Sequence, residues 1–248
     1  MRLTSGRLNA VKGVVHGFST RRGGCAAAPL DSLNLAWDRG RIEETRENWR
    51  RFQTELGQPD WPVAVVHQVH EDRIESAQPN GDPLVAQSDA DAVFTLRPNE
   101  FVAVRTADCV PVLLAGPGIV GAVHAGWRGT AKGIVAKAVS SLCAAANCEP
   151  GQLVAAIGPC IGLEAYEVGQ EVVRGLSARM DPVLFLRHSG ARPHVDLKAA
   201  NAALLRQAGV EEIDILPHCT FADEAFFSHR RDGALTGRMA AVIGFCAP

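Results

Sequence analysis

The sequence lacks long apolar runs, a strong excess of charge of one sign, and a cysteine framework, and each absence excludes a class of protein. Apolar stretches are broken by Gly, Pro or charged residues before they reach the length of a membrane span. Residues 1–12 lack the continuous apolar segment of a secretory leader. The net charge of -2 gives no electrostatic reason to expect nucleic acid or an anionic membrane as partner. Seven cysteines, an odd number without a leader, favour reduced thiols and a cytoplasmic protein.

Several motifs of well-known enzyme classes are absent as well. There is no G-x-G-x-x-G after the first predicted strand and no G-x-x-x-x-G-K-[ST], which argues against dinucleotide and P-loop sites. The zincin motif H-E-x-x-H is missing. The cytidine-deaminase pair H-x-E and P-C-x-x-C is missing too, because no second cysteine follows Pro159-Cys160 at the required spacing.

The chain does contain alternating helical and strand patterns, and 47% of its residues are hydrophobic. Residues 42–56 place apolar side chains three or four apart, which predicts an amphipathic helix. Residues 61–70 are short, apolar and valine-rich, as in a buried strand, and four strand-like runs follow within 91–125. Further patterns predict helices at 134–142, 168–180 and 196–209, and strands at 153–159, 213–217 and 237–245. This order predicts an α/β fold with mixed sheets, in a single domain over residues 1–248.

One segment carries residues suited to metal chemistry. Cys109 follows a strand-like run at a turn, and His124 ends another such run just before the sequence AGWRGT. Together with a histidine of the HQVH segment at 67–70, they offer two imidazoles and one thiolate. A zinc site with three protein ligands keeps a coordination position open for water or substrate, so the trio predicts an enzyme. Taken singly, Cys109 and His124 are equally compatible with buried structural roles.

The HQVH segment is ambiguous by itself. In a helix His67 and His70 would share a face, whereas in a strand residues three apart point to opposite sides. Its valine-rich surroundings favour a strand, and hence one ligand from this segment.

Two further segments are basic: HGFSTRRGG (16–24) contains Arg21 beside a Gly-rich turn, and FFSHRRDG (226–233) contains Arg231. Guanidinium groups bind phosphate oxygens well, although a solvated loop accounts equally for both segments.

These motifs, taken together, resemble the YfiH-like family, also called the laccase-domain or polyphenol-oxidase family. The resemblance extends from about residue 16 to residue 244. It is carried by HGFSTRRGG, SLNL, HQVH, the ADC of TADCVPVLLA, GAVHAGWRGT, AIGPCIG with YEVG, FFSHRRDG and TGRMAAVIG. It implies a single α/β domain whose mixed sheets are sandwiched between helices, and a zinc site formed by His70, Cys109 and His124.

The resemblance also implies an activity. Family members are described as purine nucleoside phosphorylases that act on adenosine, inosine, guanosine and methylthioadenosine, and that also deaminate adenosine. On this basis we expect His70, Cys109 and His124 to be catalytic, Arg21 and Arg231 to hold phosphate, and Asn34 to contact the nucleoside. The expected partners are purine nucleosides and phosphate, and we expect a monomer. Two departures from the family pattern, Cys25 and the segment AWDRG at 36–40, concern substrate choice.

Three alternatives to this activity remain open. Some family members are described as copper-dependent phenol oxidases, in which copper would replace zinc, but the several His-x-His pairs of a multicopper oxidase are absent here. A metal-free cysteine hydrolase would use Cys109 as nucleophile and His124 as base. A factor that keeps peptidoglycan precursors correct, or a module that binds cell-wall synthesis proteins, would use the same residues for editing or for a structural metal.

Overall fold

The computed structural model describes residues 2–78, 81–189 and 192–247. Its strands are β1 Arg2–Leu3, β2 Val14–Ser19, β3 Val63–His67, β4 Ile74–Ser76, β5 Ala86–Asp89, β6 Ala92–Thr95, β7 Phe101–Thr106, β8 Val110–Gly116, β9 Ile119–Ala125, β10 Val154–Ile157, β11 Leu186–Ser189, β12 Arg192–Val195, β13 Glu212–Ile215 and β14 Met239–Phe245. Its α-helices are α1 Gly6–Asn9, α2 Ile42–Glu55, α3 Trp127–Lys132, α4 Ile134–Ala146, α5 Gln170–Ser177, α6 Leu197–Gln207 and α7 His229–Asp232. Among the helices in these ranges, none combines the length and apolar character required to cross a bilayer.

Two six-stranded sheets form the centre of the molecule. The first has the order β1-β2-β14-β7-β3-β5, antiparallel from β1 to β7 and parallel from β7 to β5. The second has the order β13-β10-β8-β9-β6-β4, in which the two outermost strands run parallel to their neighbours and the others are antiparallel. Strands β11 and β12 form a separate two-stranded antiparallel sheet. The prediction of an α/β fold with mixed sheets is therefore confirmed.

The sheets pack on each other and are covered by helices on their outer faces. In β7, Val102 and Val104 belong to the core cluster between the sheets. The alternating residues Phe101 and Ala103 pack in a second cluster with Trp49 of α2. Strand β8 alternates in the same way between the inner core and the cluster under α4 and α6. Apolar residues at successive positions, as at 101–104 in β7, are what strands buried on both faces require.

Helix boundaries follow the sequence signals closely. Helix α6 starts directly after Asp196, whose carboxylate accepts the amide of Ala199 at 2.9 Å, as an N-cap residue does. It ends at Gln207, two residues before Gly209, which has a φ of 89°. Helix α2 covers 42–55 and buries Trp49 and Phe52 against the first sheet.

The structure differs from the sequence prediction in two places near the functional residues. The strand predicted over 61–70 ends at His67, so Gln68, Val69 and His70 lie in a loop. The start of the HGFSTRRGG segment is not a loop, because its first four residues belong to β2, next to β14. Long-range pairing decides both boundaries, and neither partner is close in sequence.

Candidate metal centre and active-site cavity

Three separate segments bring His70, Cys109 and His124 together. Cys109 immediately precedes β8, His124 lies near the end of the neighbouring strand β9, and His70 lies in the loop after β3. The nitrogen and sulfur atoms that these side chains offer as ligands all lie within 4.8 Å of one another. Across residues 2–78, 81–189 and 192–247, this is the one group of three or more His, Cys, Asp or Glu residues that could hold a metal ion. We call it the ligand cluster.

Asp91 makes hydrogen bonds to two residues of the ligand cluster, His70 and His124. Its fully buried carboxylate accepts the backbone amides of Val69, His70 and Glu71 at 2.8–3.1 Å, which holds His70 at its left-handed φ of 62°. One of its oxygens also lies 2.7 Å from Nδ1 of His124, and its carbonyl accepts the His124 amide. Since an ionised carboxylate can only accept, Nδ1 of His124 donates to it, and in the neutral imidazole Nε2 is then the nitrogen without a proton. That is the tautomer that binds a metal through Nε2.

The cluster is electrostatically suited to a cation. Burial acts to raise the pKa of Cys109, but the charge of His124 and hydrogen bonds from His124 and His70 outweigh it and lower that pKa. Burial acts to lower the pKa of His124, but Cys109 and Asp91 together raise it. The pair thus favours a thiolate, and the thiolate is the form of cysteine that binds metals. Burial increases from the exposed His70 through Cys109 to the buried His124, so the cluster is open on one side.

Gly126 lies against all three residues of the ligand cluster. A Cβ at this position would lie 3.1 Å from the sulfur of Cys109, 3.3 Å from Cδ2 of His70 and 4.0 Å from Cε1 of His124. The backbone here is extended, with a φ of -71°, so conformational freedom does not account for the glycine. The absent side chain is instead what lets α3 begin next to all three ligands.

The open side of the ligand cluster faces a cavity of about 450 Å³. Its wall includes aromatic rings from three parts of the chain, Trp37, His67 and Tyr166. The AWDRG segment contributes Trp37, Asp38 and Arg39, as expected of a segment that bears on substrate choice. His67 lines the cavity as well, but its Nδ1 is bonded to Asp89 at 2.8 Å, and it is not part of the ligand cluster. One histidine of HQVH therefore joins the cluster.

The cavity is rich in arginine. Arg39, Arg105, Arg230 and Arg238 line it, against the two carboxylates of Asp38 and Asp108. Both oxygens of the Asp108 carboxylate already accept hydrogen bonds, one from the hydroxyl of Thr220 and one from the backbone amide of Arg230, each at 2.6 Å. The cavity therefore combines a metal-type donor set with an excess of positive charge.

The residues predicted to bind substrate lie elsewhere. Arg21 and Arg231 line a separate surface pocket, the Arg21 pocket, whose lining residues are Arg21, Arg22, Asp31, Ser32, Glu224, Arg231 and Asp232. Asn34 is buried, and its amide group bonds to the backbone of Ala36, Arg39 and Arg238. It thus supports the cavity wall from behind instead of facing a ligand. A direct contact of these three side chains with substrate stays a prediction, and their positions do not support it.

Two residues beside the ligand cluster and the cavity escaped the sequence reasoning. Asp91 carried a weak signal, as an acidic residue placed directly before an apolar strand. Arg105 lies in the strand FVAVRT, where a charged residue inside a buried strand indicates either a partner or a ligand. Neither signal identifies its target, because the residues that surround both side chains are distant in sequence.

The chain is similar to proteins of known sequence along nearly its whole length. The family model described as "Multi-copper polyphenol oxidoreductase laccase" matches residues 15–246. A relative from Deinococcus radiodurans named purine nucleoside phosphorylase is 39% identical over 233 residues, which cover 93% of this chain and 89% of that protein. The purine nucleoside phosphorylase YfiH of Escherichia coli is 38% identical, with 94% of each chain covered.

Solved structures show the same fold. The crystal structure of YlmD from Geobacillus stearothermophilus has a TM-score of 0.90 and 34% sequence identity, and covers 98% of this chain and 94% of that one. The YfiH protein of Bacillus licheniformis has a TM-score of 0.87 and 33% identity. This chain belongs to the YfiH-like, laccase-domain family that its motifs resemble.

Proposed function

We propose that this protein is a metal-dependent purine nucleoside phosphorylase with His70, Cys109 and His124 as its metal ligands. One observation carries the proposal: a three-ligand cluster opens into a cavity that is lined by aromatic rings and by an excess of arginine. Phosphorolysis calls for a concave site that takes a flat base, a ribose and a phosphate dianion. The names of the relatives from Deinococcus radiodurans and Escherichia coli support the same activity.

We propose zinc as the metal. Two imidazoles and a thiolate match the three-ligand sites of catalytic zinc, and the space beside Gly126 and the tautomer set by Asp91 are what such a site requires. When bound, zinc supplies a Lewis acid and lowers the pKa of a water molecule towards neutrality.

Copper is the alternative metal, because the family model bears the name of a multi-copper oxidoreductase. A two-histidine, one-cysteine copper site usually adds an axial methionine. Met180 and Met239 belong to separate apolar clusters and do not line the cavity. A single three-residue cluster in the described ranges also falls short of the several coppers that a laccase uses.

The proposed substrates are adenosine, inosine, guanosine and methylthioadenosine. A phosphate oxygen attacks C1′ of the ribose, the bond from C1′ to the purine nitrogen breaks, and its electron pair leaves with the base, which takes up a proton. Trp37, His67 and Tyr166 offer ring faces or edges against which a purine can pack. The same site would support deamination of adenosine, in which water replaces the amino group and ammonia leaves. We expect a cytoplasmic monomer.

The test is metal analysis of freshly purified protein combined with chromatography of adenosine incubated with and without phosphate. We expect close to one zinc per chain, phosphate-dependent release of adenine and ribose 1-phosphate, and inosine or hypoxanthine from deamination. Cys109→Ala should lose zinc and both activities. Cys246→Ala is the matched control, because Cys246 is a free cysteine that does not line the cavity.

Other outcomes of the same test would contradict the proposal. Turnover of an amide substrate that survives a chelator but not iodoacetamide would indicate a cysteine hydrolase, with Cys109 as nucleophile. Copper in the protein with oxygen uptake on phenols would indicate an oxidase. Normal cellular function of a folded His124→Ala protein that lacks nucleoside turnover would indicate a cell-wall factor.

A further inference from the structure

Arg105 is a buried cation whose charge is not matched by a bonded carboxylate. Its side chain lines the cavity, and the residue is 7% exposed. One guanidinium nitrogen, Nη2, donates to the carbonyl of Val66 at 3.1 Å, while Nη1 is buried without a hydrogen-bond partner among the described residues. A buried guanidinium group with an unused donor is costly unless a ligand completes it. The unused donor therefore indicates an anionic ligand at this point.

Two further guanidinium groups lie beside it. In the pairing of β7 with β14, Arg105 is opposite Ala240, so Arg238, two residues earlier, lies on the same side of the sheet. Arg39 contributes a buried Nε that also lacks a hydrogen bond among the described residues, with Asp38 at 3.7 Å as its ion pair. Burial lowers the pKa of Arg105 to about 10, with Asp38 opposing this shift and Arg238 adding to it. Burial and the charge of Arg39 lower the pKa of Arg238. Arg105 and Arg238 stay charged at neutral pH despite these shifts.

Two amide side chains hold the backbones of these arginines. Asn34 accepts the amide of Arg238 at 3.0 Å and donates to the carbonyl of Arg39 at 3.0 Å. Gln68 accepts the amide of Arg105 at 2.8 Å and donates to its carbonyl at 2.7 Å. Like charges placed together repel each other, so this fixed arrangement costs stability unless an anion is bound. The three arginines thus form a site that is prepared before its ligand arrives.

We propose that Arg105, Arg238 and Arg39 form the site that binds and orients inorganic phosphate, the attacking group of the reaction, beside the ligand cluster. This inference rests on the proposed function for the identity of the reaction. It assigns phosphate to the main cavity and away from the Arg21 pocket. Within one cavity, the arginines hold the phosphate dianion while its oxygen forms the new bond to C1′, and the purine departs with the electron pair of the bond that breaks.

The experiment measures phosphate binding and catalysis separately. Binding is followed by the shift in melting temperature on adding inorganic phosphate to the zinc-loaded protein, and catalysis by the KM for phosphate and for inosine. We expect Arg105→Met to lose the shift and to raise the KM for phosphate by about 10- to 100-fold, because it removes charged hydrogen bonds. The KM for inosine should change much less. Arg238→Met should act in the same direction, which keeps the test decisive if one variant folds poorly.

The controls are two other arginines. Arg50→Met removes an exposed arginine that pairs with Glu47 on α2, and it should bind phosphate like the parent protein. Arg21→Met tests the competing pocket. The proposal is overturned if Arg105→Met and Arg238→Met keep the parent KM for phosphate, or if Arg21→Met alone loses phosphate binding.

A further arm tests the source of the phosphate group. Ribose 5-phosphate replaces inorganic phosphate in the binding measurement. If only the sugar phosphate binds through Arg105, the site serves a phosphorylated substrate and the proposal as stated is overturned. Phosphate binding through Arg105 without any phosphorolysis would instead keep the anion site and reject the proposed function. If Arg105→Met carries out phosphorolysis with the parent KM for phosphate, the proposed function is kept and the anion site is rejected.

Discussion

Two groups of arginines in this protein look alike in sequence and differ in what their guanidinium groups contact. In the Arg21 pocket, Arg231 donates to the carbonyls of Thr220 and Phe226 at 2.9 and 2.7 Å and pairs with Asp232. Arg21 pairs with Asp31 at 3.0 Å and also lies over the ring of Phe227. In the main cavity, by contrast, Arg105 and Arg39 keep buried nitrogens without hydrogen bonds among the described residues. Arginines whose donors are already used hold the fold together, whereas arginines with unused donors can bind a ligand.

This difference also explains why motif reasoning pointed to the Arg21 pocket, whereas the proposed anion site lies in the main cavity. Paired arginines next to glycines are visible in the sequence at 21–24, and FFSHRRDG shows a second pair. The acceptors that occupy them are backbone carbonyls and nearby carboxylates, which a linear pattern does not reveal. Arg105 and Arg238 are single arginines in strand-like segments, and the pairing of Arg105 with Ala240 brings them to one side of the sheet.

The strongest way to test the contrast between the two pockets is to remove a metal ligand from one of them. Cys109→Ala should bind no zinc and lose about a thousandfold or more in kcat/KM, since the Lewis acid supplies several kcal/mol to the reaction. The Arg21 pocket should be unaffected, so the variant should unfold in urea like the metal-free parent protein. Zinc content and kcat/KM with inosine are the measurements. A zinc-free variant with parental activity would contradict the metal site.

Asp91→Asn should weaken the same site through the residues that hold it. The amide cannot accept from three backbone amides and from His124 as an ionised carboxylate does, so both histidines lose their orientation. We expect zinc affinity to fall by about 10- to 100-fold. Competition with a chelator of known affinity measures this directly. If Asp91→Asn is as stable as the parent protein and binds zinc equally well, the proposed role of Asp91 is wrong.

Gly126→Ala should have a smaller effect of the same kind. The added methyl group would contact the Cys109 sulfur and the His70 ring, and overpacking of this size costs about 1–2 kcal/mol, or about tenfold in zinc affinity. Gly6→Ala is the matched control, because a Cβ there has nothing within 4 Å. Equal zinc affinity in both variants would show that the space beside Gly126 is not used by the metal site.

Arg231→Met should leave catalysis nearly unchanged and reduce stability instead, by about 1–3 kcal/mol from lost hydrogen bonds. Burial acts to raise the pKa of Asp232, but hydrogen bonds from Arg231 and Ser228 outweigh it and keep the pKa low. A carboxyl with a lowered pKa in the folded state adds stability above its unfolded pKa near 4, and loses it as the pH falls further. The stability difference between parent and variant should therefore shrink from pH 7 to pH 3. Urea unfolding at both pH values measures it, and a raised KM for phosphate would instead place the anion in the Arg21 pocket.

The sequence supported some predictions and not others for identifiable reasons. Helix α6 could be located because its N-cap Asp196 and the glycine after it are local signals. The three residues of the ligand cluster could be named because cysteine and histidine are chemically distinctive, and the structure brings the three together. The end of β3 at His67 could not be placed, since Asp91, 24 residues later in the chain, accepts the amides of the following loop. The role of Asn34 was likewise hidden, because its partner Arg238 is 204 residues away.

The amino-acid sequence by itself determined the fold class, the family and the chemical types of the three side chains in the ligand cluster. Periodicity, caps and scarce ligand residues act over short distances or carry their chemistry within one side chain. Only the tertiary structure decided which arginines remain available to a ligand. The fold determines which hydrogen-bond acceptors lie next to each guanidinium group, and therefore which of its donors are already bonded. Arg231 and Arg105 are the same residue type. Their surroundings alone make Arg231 a residue that stabilises the fold and Arg105 a candidate phosphate-binding residue.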